Sequence, residues 1–195
     1  MKKLTKIKKL IKKNNLDAYI IPKNDEFFCE YAFPNRLKTI TNFSGSAGFS
    51  IVTLRENYLF IDGRYLIQSK METGKNFRLI EIPYRYPKDV LNKKKYRRIG
   101  YDPKLFTSKT LEIYFGFQYK LIPIQKNLVD EIFLEKENSK NLFFVLKDKI
   151  AGESVNSKVR RLNKILKKNK SDSIFISAPE NVAWLLNIRG GDNPN

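Results

Sequence analysis

Apolar residues recur at helical spacing in the first thirteen positions and then give way to short apolar runs. The helical stripe consists of Leu4, Ile7, Leu10 and Ile11, and it predicts an amphipathic helix. The next run, "DAYIIP" (Asp17 to Pro22), predicts a buried strand. Two further runs, "FSIVTL" (Phe49 to Leu54) and "NYLFID" (Asn57 to Asp62), flank a polar turn and predict a hairpin.

Helices and strands continue to alternate after the hairpin. "GRYLIQSKMETG" predicts a helix that ends at Gly74, with Tyr65, Leu66 and Met71 facing inward. Beyond it lie a strand, a short helix, a strand, a helix and a strand, in the segments "FRLIEIP", "YPKDVLNKKK", "YRRIGYDP", "TSKTLEIYFGF" and "YKLIPI". Thr107 or Ser108 is the expected N-cap of the last helix. A hairpin combined with helical crossovers predicts an α/β domain on a mixed sheet.

The opening pattern recurs once, one domain length later. "VRRLNKILKKNKSDSIFISAPE" (Val159 to Glu180) repeats a basic amphipathic helix, an aspartate, an apolar strand, a proline and an acid. Asp17 and Asp172 are equivalent, at an offset of 155 residues. We therefore expect one domain over 1–150 and a second, incomplete copy over 151–195, because about forty residues cannot close such a core.

Composition limits the chemistry that this chain can perform. It has 195 residues, no histidine and one cysteine, Cys29. Without histidine there is no Ser-His-Asp or Cys-His catalysis and no imidazole metal ligand. A single cysteine cannot form an internal disulfide, which favours a reducing compartment.

The net charge of +18 raises the question of a nucleic-acid partner. Lysine, asparagine and isoleucine are all abundant here, and all three can be written with A/T-rich codons, so a compositional bias explains the excess equally well. No stretch approaches the 18 or so consecutive apolar residues of a membrane span, and the basic N-terminus lacks the apolar region of a signal peptide. We expect neither a membrane nor a nucleic acid as partner.

The segment "NFSGSAGF" (Asn42 to Phe49) has two glycines that would suit a phosphate-binding loop. It lacks the lysine of a P-loop, and a predicted strand rather than a helix follows it. We interpret it as a tight corner that positions a neighbouring site.

Five motifs, in the order in which they occur, carry a family resemblance: "DAYIIPKNDEFFCEYAFPNRLKTITNFSGSAGFSIV", "FIDGRYLIQ", "IGYDP", "KNLVDEIF" and "VAWLLNIRGGD". Together they resemble the N-terminal part of Xaa-Pro aminopeptidase (aminopeptidase P) of the long, three-domain, cytosolic type, across nearly the whole chain. The resemblance implies a mixed-sheet α/β domain of the creatinase/prolidase N-terminal type, ribonuclease H-like, followed by a truncated second copy. In place of the glycine found in bacterial members, this chain has Asn42.

The resemblance implies roles for individual residues. Arg64, in the D-G-R-Y motif, is similar to an arginine that reaches toward the bound peptide, although a structural pairing with Asp62 is the alternative. The carboxylates of Asp25, Glu26 and Glu30 are expected to be structural and to pair with Arg36, and Trp184 to be a core residue. The structural or interdomain signature as a whole comprises Asp25, Glu30, Arg36, Gly45, Ser46, Gly48, Asp62, Gly63, Trp184, Arg189 and Asp192.

The expected function is that of a noncatalytic region of a cytoplasmic, metal-dependent exopeptidase that releases a residue preceding proline. Metal ligands, holding a pair of ions that is usually manganese, belong to a third domain that this chain lacks. The implied partners are the protein's own catalytic domain, a proline-containing peptide and a second copy in a homodimer. Three alternatives stay open: a nucleic-acid-binding adaptor, an interaction module without catalytic ligands, and a creatinase-like hydrolase, against which the repeat counts.

Overall fold

A computed structural model describes residues 2–29, 34–92, 95–133 and 143–190. The chain forms two compact units, Met1–Glu135 and Lys136–Asn195. This division falls earlier than the boundary after residue 150 that the repeat predicts, because the strand Phe143–Val145 pairs with Ile188–Gly190 inside the second unit.

The first unit alternates strands and helices, as the hydrophobic pattern predicts. Its described strands are β1 (Ala18–Pro22), β2 (Gly48–Thr53), β3 (Asn57–Asp62), β4 (Arg78–Ile82), β5 (Arg98–Tyr101) and β6 (Lys120–Pro123). Its described helices are α1 (Lys2–Lys13), α2 (Arg36–Thr41), α3 (Leu66–Thr73), α4 (Pro87–Val90) and α5 (Ser108–Phe115). Short 3-10 turns lie at Gly63–Tyr65, Gly74–Asn76 and Pro103–Leu105. Thr107 is the N-cap of α5, where its hydroxyl accepts a hydrogen bond from the Thr110 N–H.

The strands form one mixed sheet in the order β4-β3-β2-β1-β5-β6. Only β2 is antiparallel to its neighbours, since the β1–β5, β3–β4 and β5–β6 pairs are all parallel. The strands other than β2 therefore end at the same side of the sheet, which we call the carboxyl edge and which includes Asp62 and Ile82. The opposite side, with the β2–β3 turn at 54–56, is the amino edge.

Both faces of the sheet are buried. Along β1 and β3 alternate residues enter two separate apolar clusters, with Ile20 and Phe60 in one and Tyr19 and Leu59 in the other. The first cluster packs against α5 and the second against α1 and α2. A sheet covered on both faces explains why its strands are nearly continuous apolar runs, and the predicted mixed-sheet α/β fold is confirmed.

One helix faces a different way from the prediction. Met71 is 81% exposed, whereas Ser69 and Thr73 are buried. Leu66 packs against the core at the start of α3, and helical periodicity places Ser69 and Thr73 on the same face as Leu66 and Met71 on another. The predicted inward orientation of Met71 is therefore wrong.

The second unit contains β7 (Phe143–Val145), α6 (Asp148–Ala151), α7 (Val155–Lys168), α8 (Pro179–Leu186) and β8 (Ile188–Gly190). The predicted basic helix is present as α7, but residues 173–178 form no strand. Their counterpart β1 pairs with β2 and β5. In the described part of the second unit the only strands are β7 and β8, which pair with each other, so no strand partner satisfies the backbone at 173–178.

Within the described ranges, no helix combines the length and apolar character that crossing a membrane demands.

We expect Ile20→Ala to lower the free energy of unfolding by about 2–5 kcal/mol, because it leaves a cavity at a fully buried position between sheet and helices. Ile67→Ala is the matched control, since Ile67 is exposed on α3 and should change the stability by less than about 0.5 kcal/mol. Denaturant titration followed by circular dichroism measures both. Equal effects would contradict the assignment of the core.

Candidate functional site

Arg64 lies immediately after β3, at the carboxyl edge. The Asp62 carboxylate accepts hydrogen bonds from the Arg64 backbone N–H at 2.9 Å, from Nε at 2.9 Å and from Nη2 at 3.2 Å. The hydrogen bonds from the Arg64 side chain, and then from its backbone, lower the pKa of Asp62. The guanidinium is 73% exposed, so Asp62 orients a cation that remains accessible to solvent.

Gly63 allows a close approach at this turn. A Cβ atom at position 63 would lie 2.3 Å from Glu81 Oε1, on the neighbouring strand β4. A side chain here would displace Glu81, and the absence of one lets the turn and the end of β4 pack together.

The corner that precedes β2 depends on residues that tolerate unusual backbone angles. Asn42 ends α2 in the left-handed conformation, with φ 65°, and asparagine accepts this conformation more readily than most residues. Gly48 has φ +151°, and a Cβ there would lie 2.7 Å from the Phe60 carbonyl oxygen. Gly45 lies against the Phe43 ring, since a Cβ atom at position 45 would be 2.2 Å from the ring carbon Cζ. Asn42 therefore supplies the left-handed helix end for which glycine is the usual residue.

A carboxylate from α3 braces the corner. Glu72 accepts hydrogen bonds from the Ser44 N–H at 2.7 Å and from the Ser44 hydroxyl at 2.5 Å. Gln68 Nε2 donates to Ser44 Oγ at 2.9 Å and to Glu72 Oε1 at 3.0 Å. Partial burial opposes ionisation of Glu72, but the hydrogen bonds from Ser44 and Gln68 prevail and lower its pKa. A phosphate at Ser44 would have to displace this carboxylate, which supports a positioning function for the corner.

A second contact joins the corner to the Arg64 turn. Ser46 Oγ and Tyr65 Oη are 2.8 Å apart, and the Tyr65 ring lies edge-on to Phe43 with centroids 5.7 Å apart. The Arg64 guanidinium carbon lies 5.7 Å from the Tyr65 ring centroid. The corner is thus joined through Ser46 and Tyr65 to the turn that carries Arg64.

Other residues of the predicted signature lie in different contacts. Arg36 donates to both oxygens of Asp130 at 2.8 Å, so its expected pairing with the carboxylates of "DEFFCEY" is wrong where that segment is described. Asp25 instead accepts from the backbone N–H groups of Phe27 and Cys29, at 2.9 Å each. Arg36 and Asp130 are distant in sequence, and a bidentate pair of this kind ties two segments together.

The second unit places Trp184 differently from the prediction. Trp184 is 46% exposed rather than a core residue. Lys158 Nζ lies 4.2 Å from its ring centroid, and the Arg161 guanidinium lies 5.6 Å from it. Arg189 Nη1 donates to the Ile188 carbonyl at 2.8 Å. Two cations of α7 therefore lie against the Trp184 ring of α8.

Two signature residues, Glu30 and Asp192, lie outside the described residues. Within residues 2–29, 34–92, 95–133 and 143–190, no three Cys, Asp or Glu side chains form a group that could hold a metal ion. The residues described here therefore do not fit a metal pair, and no catalytic step is assigned to them.

Comparison with protein families matches the chain twice. A family model described as creatinase/prolidase N-terminal domain matches residues 3–132, and a second model with the same description matches residues 135–195. The two matches agree with the internal repeat.

Similar proteins extend over almost all of this chain. A probable Xaa-Pro aminopeptidase P of Laccaria bicolor is 32% identical over 97% of the chain and 32% of its own length. Xaa-Pro aminopeptidase 1 of Dictyostelium discoideum is 32% identical over 98% of the chain and 34% of its own length. The chain therefore spans about a third of the length of these curated relatives.

A solved structure has the same fold. The X-prolyl aminopeptidase from Caenorhabditis elegans, described as a cytosolic enzyme with a di-nuclear active site, is 30% identical to the chain. The structural match covers 99% of the present chain and 35% of the C. elegans chain, with a TM-score of 0.76.

We expect Gly48→Ala to lower the free energy of unfolding by roughly 1–3 kcal/mol, because the new Cβ meets a backbone oxygen. Gly116→Ala is the control, since Gly116 also has a positive φ but faces open space. Its cost should be smaller, limited to the backbone strain. Denaturant titration measures the difference, and an equal cost for both would contradict the close approach.

The Glu72 brace should depend on pH. Because the folded-state pKa of Glu72 lies below its usual 4.5, the stabilisation is present above the unfolded-state pKa and is lost as the pH falls through the folded-state pKa. Wild type should therefore lose more stability than Glu72→Gln between about pH 6 and pH 3. Identical curves for Glu72→Gln and wild type would contradict the brace.

Proposed function

The chain belongs to the creatinase/prolidase N-terminal domain family, and from this membership we propose that it is the noncatalytic N-terminal region of a metal-dependent Xaa-Pro aminopeptidase. The family expected from the five sequence motifs is thereby confirmed. The proposal is carried by the similarity of nearly the whole chain to relatives with this activity in their names, and to the C. elegans enzyme in fold. The parent protein would remove an N-terminal residue that precedes proline.

The hydrolytic step requires groups that the described residues do not supply. The C. elegans enzyme is described as di-nuclear, and we propose a divalent metal pair, manganese, in a catalytic domain outside this chain. A bound metal ion of this kind supplies a hydroxide nucleophile at neutral pH. The share of the present chain is to shape access to that site and to contact the peptide.

Arg64 is the residue that we propose contacts the peptide. It is exposed, its side chain is oriented by Asp62, and the turn that presents it is held through Tyr65 and Ser46. A guanidinium offers several N–H donors in a fixed plane, which suits peptide carbonyl and carboxylate oxygens. In α/β sheets of this kind, ligands bind at the carboxyl ends of the strands, which is where Arg64 lies.

The remaining signature residues are proposed to support assembly. Trp184, Arg189 and Asp192 would face the catalytic domain from a second, incomplete copy of the fold that begins near residue 151. The N-terminal region would also restrict entry to short peptides and support a homodimer. The location proposed for the protein is the cytoplasm, in line with the description of the C. elegans enzyme.

We expect Arg64→Gln in the longer protein to lower kcat/KM for Xaa-Pro peptides roughly 10-fold or more. Hydrogen bonds to a charged group contribute about 1.5–3 kcal/mol, and 1.4 kcal/mol corresponds to a factor of ten. Arg55→Gln is the matched control, because Arg55 is exposed on the amino edge. Hydrolysis of a peptide such as Ala-Pro-Ala, followed by release of free alanine, measures both variants.

Unchanged activity in Arg64→Gln would leave Arg64 with only its structural pairing to Asp62. Absence of Xaa-Pro hydrolysis by the wild-type protein would overturn the proposed function.

The alternative is a noncatalytic interaction or nucleic-acid-binding module on the same fold. The composition of α1, which has seven lysines and no acidic residue, favours this alternative. Binding of the chain to DNA that falls steeply with salt would support that alternative.

A further inference from the structure

Tyr84 is an exposed aromatic residue in the turn between β4 and α4. Its exposure is 79%, and its neighbours Pro83 and Arg85 are also exposed. The chain folds back at this turn, where the Arg85 N–H donates to the Glu81 carbonyl at 3.2 Å. The turn follows the last residue of β4, so Tyr84 lies at the carboxyl edge.

The turn with Tyr84 neighbours the turn with Arg64. Strands β3 and β4 are parallel, and Asp62 is the register partner of Ile82. Arg64 lies two residues after Asp62, and Tyr84 lies two residues after Ile82. The two turns therefore leave the sheet one strand spacing apart, about 4.8 Å. Glu81, the residue before the last one of β4, lies against Gly63, so the Arg64 turn packs beside the end of the strand from which the Tyr84 turn leaves.

Both ends of the Tyr84 turn are anchored. Ile82 is held in the sheet, and the Tyr86 N–H donates to Asp89 Oδ2 at 2.7 Å, which fixes the start of α4. The Tyr86 ring stacks on Tyr114 with centroids 5.9 Å apart. A ring held between such anchors loses little conformational freedom when a ligand packs on it.

We propose that Tyr84 is a specificity-determining residue that packs against an apolar or proline side chain of the peptide, downstream of the bond that is cleaved. The inference rests on the proposed function and names a second contact beside Arg64. Aromatic rings on protein surfaces are common docking sites for proline-containing segments. The pair offers a peptide a cation for its polar backbone and a ring for a side chain.

The test uses the longer protein and three variants, Tyr84→Ala, Tyr84→Phe and Phe117→Ala. Phe117 is a control of similar exposure, 92%, but precedes β6 and so lies at the amino edge. The substrates are Ala-Pro-Pro-Ala and Ala-Pro-Leu-Ala, compared with Ala-Pro-Gly-Gly. Initial rates of alanine release give KM and kcat for each pair.

Tyr84→Ala should raise KM roughly 3- to 10-fold for the proline and leucine peptides, the size expected for loss of one ring contact. It should change KM for the glycine peptide less than about 2-fold and leave kcat unchanged. Tyr84→Phe and Phe117→Ala should resemble wild type, because the first keeps the ring and the second lies away from the site.

Equal effects of Tyr84→Ala on all three peptides would indicate a structural role and overturn the inference. Wild-type kinetics in Tyr84→Ala would overturn it as well, while leaving the proposed function intact. If the wild-type protein cleaves none of the peptides, the proposed function fails, and the inference that rests on it fails with it.

Discussion

In the first unit, each strand of the sheet must bury side chains on both faces. Ile20 and Tyr19 illustrate this, since adjacent residues of β1 enter different apolar clusters. With helices over both faces, the sheet offers a ligand only its edges. Because β1, β3, β4, β5 and β6 run in one direction, the chain segments that follow them are gathered at one of those edges. The exposed guanidinium of Arg64 lies at this edge because β3 ends there, and the direction of the strand determines this whatever residues adjoin Arg64 in the sequence.

At the carboxyl edge, contacts with neighbouring residues fix the direction of the flexible Arg64 side chain. Arg64 has many rotamers of its own, but Asp62 engages its Nε and Nη2, and Tyr65 is tied to Ser46. The glycine-containing corner acts through contacts rather than through donors to a ligand. Its Ser44 donors already meet Glu72. A carboxylate, a tyrosine and a closely packed glycine together restrict one cation, which would reduce the entropy lost in the peptide contact proposed for it.

The local sequence pattern predicts much of this fold. It does not predict contacts between residues that are distant in the sequence. The β1 run and the β2–β3 hairpin could be predicted because alternation and turn chemistry are encoded within a few residues. The partner of Arg36 could not, because Asp130 is distant in sequence and several nearer carboxylates were equally plausible. Met71 was misplaced because its apolar character was weighed above helical phase, which puts the small residues Ser69 and Thr73 on the buried face instead. In the candidate site, Arg64 was predicted from the D-G-R-Y motif, whereas Glu72 and Tyr84 lie in no motif: Glu72 is found from its side-chain contacts and Tyr84 from the strand register.

The buried lysine beneath Trp184 shows that α1 and α7, which share a sequence pattern, use equivalent positions differently. Lys3 and Lys158 are equivalent at the repeat offset of 155, just as Ile7 and Leu162 are. Lys3 is exposed, with its Nζ 5.3 Å from the Phe133 ring centroid. Lys158 is 2% exposed, and its Nζ donates at 2.6 Å both to the Trp184 carbonyl and to Asn187 Oδ1. The same position of the repeat thus holds a solvated surface lysine in the first unit and an internal tether in the second, so neither helix could replace the other without losing these contacts.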